Sequence, residues 1–318
     1  MHKVLYLPLN SGNIIQTGMY DAFNQCGVDL TVFDFYRKNG SNDSIRKGFI
    51  NTIAELQPSL VHMQLQFTSI INGDTINLAK EISPNTIFTN WTGDIRKNVP
   101  GEFIDASKGV DISLISSMGQ IDLYKKHLIR KDVRYWQIGY NPKLYYPKGN
   151  KYFNYDISFI GTKYNDNLFP DCKLRTEIVE RLIDKYGRRF GLFGGSWGIK
   201  YDTIEQSQAN DVYANSFACL SVSNFNDEYL YFSDRLLMCL ASGRPTISWR
   251  FPGWESYFTD MKNIVIVNSI DEISEKLEYL KKNPELANEI GRNGADLVYR
   301  EHTYFNRASE LLRMVGLQ

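Results

Sequence analysis

The sequence predicts an α/β protein of two facing Rossmann-like domains, each a parallel sheet covered by helices. Three observations carry this reading. The chain has 318 residues, about twice a typical domain of roughly 100–200. Short apolar runs alternate with amphipathic stretches through both halves, the pattern of repeated βαβ units. Between the halves lies Gly-Tyr-Asn-Pro-Lys-Leu-Tyr-Tyr-Pro-Lys-Gly-Asn at 139–150, whose turn formers and two prolines read as a linker.

In the first half, Lys3–Leu9 reads as a strand, followed by the polar turn Asn10-Ser11-Gly12-Asn13. A helical pattern then carries Met19, Ala22 and Phe23 to a stop at Gly27, and Val28–Phe35 is the second strand. The alternation continues with a helix at Phe49–Leu56, a strand at Leu60–Leu65, a helix at Thr75–Ile82, and strands at Thr86–Asn90 and Ile112–Ser116. In the second half, Tyr155–Gly161 is a strand, and Leu174–Tyr186 is a helix with Ile178, Val179, Leu182 and Ile183 on one stripe. Phe190–Phe193, Phe217–Val222, Pro245–Trp249 and Ile264–Val267 read as strands. Helices are predicted at Ser233–Ala241, stopped by Gly243, and at Ile273–Lys281, Pro284–Glu301 and Tyr304–Val315. Ligands of such folds sit at the carboxyl ends of the strands, so two facing sheets predict an interdomain cleft.

Composition narrows the function. Lys plus Arg and Asp plus Glu both total 36, for zero net charge, which excludes coating nucleic acid or membrane as the main task but leaves room for a local basic groove. Hydrophobic residues at 43% and charged residues at 23% exclude disorder as the dominant state. The 20 Tyr, 18 Phe and 5 Trp suit packing, sugar stacking or base stacking. Four scattered cysteines read as buried thiols of a reducing compartment. The apolar start is too short for a secretory signal, and no apolar run approaches a membrane span. A cytoplasmic protein is expected. No Walker loop, GxGxxG, zinc-site spacing or DxD string occurs, so no metal site and no bound cofactor are predicted.

The loops after the strands hold the candidate site. Ser233-Asp234-Arg235 opens a helix, where a capping serine, the dipole and the Arg235 fork suit a diphosphate. Paired Gly194 and Gly195 allow a flat ligand close to the backbone, and Trp197 is placed either to stack on it or to anchor in the core. Gly253 and Trp254 follow another strand and are candidates to close over a ligand. Lys163, Lys173 and Arg175 lie between a strand and a helix, where cations would neutralise a leaving phosphate. In the first half, Asn10, Ser11 and Gly12 form the turn after the first strand. Asp94, in Asn90-Trp91-Thr92-Gly93-Asp94, is a candidate general base. His62, inside an apolar strand, reads as a core histidine.

Several stretches together resemble a known family. Tyr231–Pro245 followed by Phe251-Pro252-Gly253-Trp254-Glu255 resembles the C-terminal signature of CgeB-like glycosyltransferases. Asp271-Glu272-Ile273, Asn283-Pro284-Glu285, Gly291–Val298 and Glu301–Arg307 fit the same pattern, as do Asp156–Thr162, Trp91–Arg96 and Trp136–Pro142. The resemblance implies a GT-B enzyme that takes its sugar from a nucleoside diphosphate, with UDP-sugar as co-substrate. In the wider retaining group, two glutamates hold the donor. Aligned on Gly243, their positions fall on Met238 and Leu230, so the resemblance moves ribose recognition to Glu228, Ser233 or Asp234. The histidine of that group corresponds to Gln64.

The expected organisation is an acceptor domain at 1–147, a donor domain at 148–301, and a final helix at 302–318 that packs back on the first domain. Donor contacts are expected from Lys163, Arg175, Gly194, Gly195, Trp197, Ser233, Asp234, Gly253 and Trp254. Acceptor contacts are expected from Asn10, Ser11, Gly12, Gln64 and Trp91, with Asp94 and Arg235 as catalytic groups. The acceptor is a hydroxyl of a glycan, protein, small molecule or modified DNA base. The basic, aromatic-interleaved clusters Lys125-Lys126-His127, Arg130-Lys131 and Arg134-Tyr135-Trp136 keep a DNA-modifying enzyme in view. The missing glutamate pair keeps a non-catalytic nucleotide-sugar binder in view.

Overall fold

The computed structural model describes residues 1–10, 16–165, 167–198 and 203–318. The chain divides into two compact units, one of Met1–Ile138 with Tyr304–Gln318 and the other of Gly139–Thr303.

In the first unit, strands and helices alternate as β1 (Lys3–Leu7), α1 (Thr17–Gln25), β2 (Asp29–Val32), α2 (Asn42–Leu56), β3 (Leu60–Met63), α3 (Gly73–Ile82), β4 (Ile87–Thr92), α4 (Gly101–Ala106), β5 (Ile112–Ile115), α5 (Ile121–His127) and β6 (Val133–Tyr135). The strands form one parallel sheet in the order β2-β1-β3-β4-β5-β6. Winding reverses between β1 and β3, so the carboxyl ends of these two strands flank the switch point where such sheets bind ligands.

Local chemistry sets the helix starts. Ser41 Oγ accepts the Ser44 N–H at 3.2 Å, and Asn72 Oδ1 accepts the Thr75 N–H at 3.0 Å, each satisfying an otherwise orphaned first-turn amide. Alternate strand residues enter opposite layers. Leu5, Leu7, Val61 and Met63 pack with Phe49, Ile53, Ile76 and Ala79. Val4, Tyr6 and Leu60 pack with Met19, Phe23, Ala308, Leu311 and Leu312. The last three belong to α11 (Tyr304–Met314), which completes this core from the far end of the sequence. Trp136 Nε1 donates to the Arg307 carbonyl at 3.1 Å, and Arg307 Nε donates to the Ile138 carbonyl at 3.2 Å, which fixes that helix in place.

The second unit runs β7 (Tyr155–Ile160), α6 (Cys172–Tyr186), β8 (Phe190–Phe193), α7 (Gln206–Ala214), β9 (Ser216–Ser221), α8 (Asp234–Ala241), β10 (Thr246–Trp249), β11 (Val265–Val267), α9 (Ile270–Lys282) and α10 (Pro284–Glu301). Its parallel sheet has the order β11-β10-β9-β7-β8, so the switch point lies between β7 and β9. Ile157, Phe159, Ala218, Leu220 and Ile247 fill its core with Ile178, Val179, Leu182, Ile273 and Leu277.

Two sequence expectations change. Residues 139–150 are packed into the second unit instead of linking the two. Tyr145 is buried, Asn210 Nδ2 donates to the Tyr146 carbonyl at 3.1 Å, and Arg244 Nη2 donates to the Asn150 carbonyl at 2.7 Å. The division therefore falls at 138/139 instead of 147/148, and at 303/304 on the return. The short helices α4 and α5, the polar α7 and the three-residue β6 were not read from sequence, because each is too short or too polar to show a period.

In α10, a Cβ at Gly291 would run into the Gly243 carbonyl, and one at Gly294 would lie 2.7 Å from the Asn263 carbonyl. Helix propensity alone would make Gly291→Ala stabilising by about 1 kcal/mol. The close approach reverses the sign: Gly291→Ala is expected to destabilise by about 1–3 kcal/mol, read as a lower urea midpoint. An unchanged or higher midpoint would contradict the packing.

Candidate functional site

At the switch point of the second unit, two guanidiniums converge above the end of β7. Arg175, in the first turn of α6, is 3% exposed. Its side chain donates through Nη2 to the Thr162 carbonyl and lies over the Phe159 ring, 5.2 Å from the centroid. Arg235, in the first turn of α8, lies over the same ring at 4.9 Å. It donates through Nε to the Ile160 carbonyl at 2.5 Å and through Nη1 to the Val222 carbonyl at 3.1 Å. Gly161 lets both approach: a Cβ there would lie 2.8 Å from Arg235 Nη2 and 3.0 Å from Arg175 Nη2.

Among the described residues, neither guanidinium meets a carboxylate. The carboxyl of Asp171, four residues before Arg175, turns away and accepts from Asn226 N at 2.6 Å and Nδ2 at 3.0 Å. Burial pushes that carboxyl's pKa up. Burial, and then the charge of Arg235, pull Arg175 down to about 9. The two guanidiniums are partly desolvated and repel each other, with backbone carbonyls and, for Arg235, the Ser233 hydroxyl as their acceptors. A doubly charged anion reverses that balance, because desolvated guanidinium forks bind phosphate oxygens strongly.

The loops around this pair are tightly held. Gly194, at φ +125°, lies against the Gly161 carbonyl so closely that a Cβ would collide with it. The Gly161 N–H donates to the Phe193 carbonyl at 2.8 Å, and the Lys163 N–H to the Gly195 carbonyl at 2.9 Å. Trp197 donates through Nε1 to the Gly161 carbonyl at 2.6 Å and meets Phe159 edge-on, so it anchors the loop. Lys163 Nζ stands 5.6 Å from the Trp197 centroid and 3.7 Å from Glu180. Beside it opens a surface pocket of about 690 Å³ lined by Lys163, Tyr164, Lys173, Thr176, Glu177 and Ser196, among others.

At the start of α8, the Asp234 carboxylate accepts the Arg235 N–H at 2.8 Å, so the Arg235 side chain, not its amide, is the donor left for a ligand. Ser233 precedes the helix without capping it through its side chain. Gly253, at φ +82°, lies where a Cβ would meet the Tyr229 ring at 2.6 Å and Leu230 Cδ2 at 2.8 Å. The Leu230 N–H donates to the Pro252 carbonyl at 2.9 Å, which joins the two loops. Trp254 Nε1 is buried with no hydrogen-bond partner among the described residues.

In the first unit, the predicted acceptor residues are mainly internal. Asn10 is buried, donates to Tyr20 and Asp34 at 2.8 and 2.7 Å, and accepts the Gln16 N–H at 2.9 Å. Ser11 and Gly12 lie outside the described residues. Gln64 Oε1 accepts the Leu9 N–H at 2.9 Å, tying the ends of β1 and β3 together. Trp91 is a core residue that donates to the Trp136 carbonyl at 3.2 Å. His62 is fully buried, is bonded through Nδ1 to Thr89 at 2.9 Å, and is pushed down to about 3 by burial. Asp94 differs. Its side chain is 55% exposed at the carboxyl end of β4, 3.5 Å from Arg96, which itself stands over Phe67. Ser116 and Gln120 hold its loop through the carbonyls of Gly93 and Arg96 at 2.8 and 3.0 Å.

Sequence reasoning singled out Arg175 and Arg235 but missed Phe159 and Gly161, which bring them together. The signal was the small residue ending the first strand of a βαβ unit, where backbone must approach a ligand or a side chain. Among the described residues, no three His, Cys, Asp or Glu side chains cluster to hold a metal.

Replacing Arg175 removes a desolvated, repelled cation. Arg175→Leu is expected to hold or raise the unfolding temperature without ligand and to abolish the rise that millimolar pyrophosphate gives the wild type. A loss of several degrees without ligand would mean that Arg175 serves the fold and not an anion.

Comparison with known proteins follows the same lines. Residues 175–313 match a family model described as glycosyl transferase-like. No curated protein sequence matches the chain. Among solved structures, it is similar to a glycosyltransferase from Rickettsia africae ESF-5, with TM-score 0.64 and 14% identity over 99% of this chain and 98% of that one. It is also similar to Anabaena HepE in complex with UDP and glucose, with TM-score 0.64 and 10% identity over 100% of both chains. The T4 phage beta-glucosyltransferase matches with TM-score 0.63 and 13% identity over 99% of both. Residues 175–313 thus form a glycosyl transferase-like domain, and the chain as a whole has the GT-B fold.

Proposed function

We propose that the protein transfers a sugar from a nucleoside-diphosphate sugar, UDP-sugar in the first instance, to a hydroxyl acceptor. The observation that carries this is the pair Arg175 and Arg235, two cations without a carboxylate partner among the described residues, at the switch point of the second unit. In the reaction, the bond between the sugar's anomeric carbon and the β-phosphate oxygen breaks, and the phosphate keeps the electron pair. The two guanidiniums stabilise that developing charge. The acceptor oxygen forms the new bond at the anomeric carbon. Its proton goes to Asp94 if the reaction inverts configuration, because this carboxylate is 55% exposed at the end of β4, where a hydroxyl from solvent can reach it. UDP as the nucleotide rests on the likeness to a structure that holds UDP and glucose.

The competing readings stand differently. Lys125, Lys126 and His127 end α5, which returns from β5 to the start of β6. They therefore lie at the amino edge of the first sheet, opposite the edge that carries Asp94, so a duplex held by them would not be presented to that carboxylate. The non-catalytic reading rests on Met238 and Leu230, and turnover decides it.

Release of UDP from a panel of UDP-sugars, with and without acceptor alcohols, is the test. One sugar is expected to stand out, with kcat/KM falling about 10²–10³-fold in Arg235→Ala. Asp94→Asn is expected to lower kcat while leaving UDP affinity unchanged. UDP binding with no turnover of any donor would establish the binding protein instead.

A further inference from the structure

The turn from α5 to β6 carries charge and apolar surface that donor and acceptor binding do not use. Lys125, Lys126 and His127 close the helix, and Ile129, Arg130 and Lys131 follow, so residues 125–131 hold four Lys or Arg and one His. Two of the nearby acids are occupied. Asp132 pairs with Arg134 through two contacts of 2.8 and 2.7 Å, and Asp105 pairs with Lys108 at 2.6 Å and accepts the Gly73 N–H. Among the described residues, Lys125, Lys126 and Lys131 meet no carboxylate. The helix dipole accounts for cations in a last turn. It does not account for Arg130 and Lys131 beyond the helix, nor for the apolar residue just before them.

That residue is Ile129, 57% exposed and the most exposed aliphatic side chain among the described residues after Met1. It is held outward by a fixed turn. Leu128 is buried with Phe103, Tyr124 and Val133, and its N–H donates to the Tyr124 carbonyl at 2.8 Å. The Ile129 N–H donates to Ser107 Oγ at 3.0 Å, and Arg130 Nε to the Lys108 carbonyl at 3.3 Å. A fixed turn that presents one aliphatic side chain beside cations that meet no carboxylate among the described residues matches an anionic bilayer interface, where the apolar tip enters and the cations meet headgroup phosphates. A nucleic-acid backbone offers the cations the same phosphates but nothing for the isoleucine.

We propose that this turn docks the first unit on anionic lipid bilayers. The chain needs no spanning helix for this, and among the described residues no helix is long and apolar enough to be one. Because the turn lies at the amino edge of its sheet, docking leaves the carboxyl-edge loop of Asp94 on the side away from the lipid.

The test is co-sedimentation of the full chain with phosphatidylcholine vesicles, with and without about one-third phosphatidylglycerol, at low and physiological salt. Binding that requires phosphatidylglycerol and weakens with salt is expected. Ile129→Glu and the double variant Lys125→Glu/Lys126→Glu should each weaken it about tenfold or more, at unchanged unfolding temperature. Ile129→Trp should strengthen it. Absence of phosphatidylglycerol-dependent sedimentation at low salt overturns the proposal. So does binding that Ile129→Glu leaves intact, or tighter binding to duplex DNA than to the vesicles, either of which would make the turn a general polyanion site.

Discussion

Two like charges stacked on one phenylalanine ring are the constraint around which the second unit is arranged. A guanidinium withdrawn from water needs acceptors for its N–H groups or a counter-charge. Here the acceptors are backbone carbonyls at strand ends: Ile160, Thr162 and Val222. Carbonyl dipoles satisfy hydrogen bonds without cancelling charge, so the site is left electropositive. The same demand explains the glycines. Gly161 gives room to both guanidiniums, and Gly194 lets the loop after β8 lie directly against the Gly161 carbonyl. Trp197 then closes that carbonyl's other side with its indole N–H. One pair of guanidiniums thus constrains two glycines and an aromatic ring.

The first unit uses its switch point differently. Asn10 and Gln64 stand where a Rossmann sheet would meet a ligand, yet their side chains tie β1 to the loops beside it. Their polarity is structural: buried backbone amides at strand ends need partners, and these amides and carboxamides provide them. At the same edge, one strand farther along, the Asp94–Arg96 loop is partly open to solvent. That loop is held by Ser116 and Gln120 through its carbonyls, while the Asp94 carboxylate stands 55% exposed and 3.5 Å from Arg96. A carboxylate leaning on an arginine orients an acceptor hydroxyl well and deprotonates it only once the substrate has displaced that pairing.

Much of the architecture was legible in the sequence because long βαβ alternation leaves a period that no packing detail can hide. The strands at Leu60, Tyr155 and Phe190 and the helices at Leu174, Pro284 and Tyr304 all show it. The boundary near 139–150 misled, since prolines and glycines mark turns whether a segment links domains or wraps one. Only Tyr145 burying itself and Arg244 reaching the Asn150 carbonyl distinguish the two. At the site, charge and position singled out Arg235 and Arg175. Sequence could not tell a stacking tryptophan from an anchoring one at Trp197, nor an acceptor contact from a core residue at Trp91. Both questions turn on which carbonyl the indole N–H finds.

The most direct test is a crystal structure of the protein with UDP. The account predicts the diphosphate at the carboxyl ends of β7 and β9, with its oxygens within hydrogen-bond distance of the guanidiniums of Arg175 and Arg235 and the Phe159 ring beneath them. A diphosphate bound at another strand edge, with the two arginines still facing only backbone carbonyls, would contradict it.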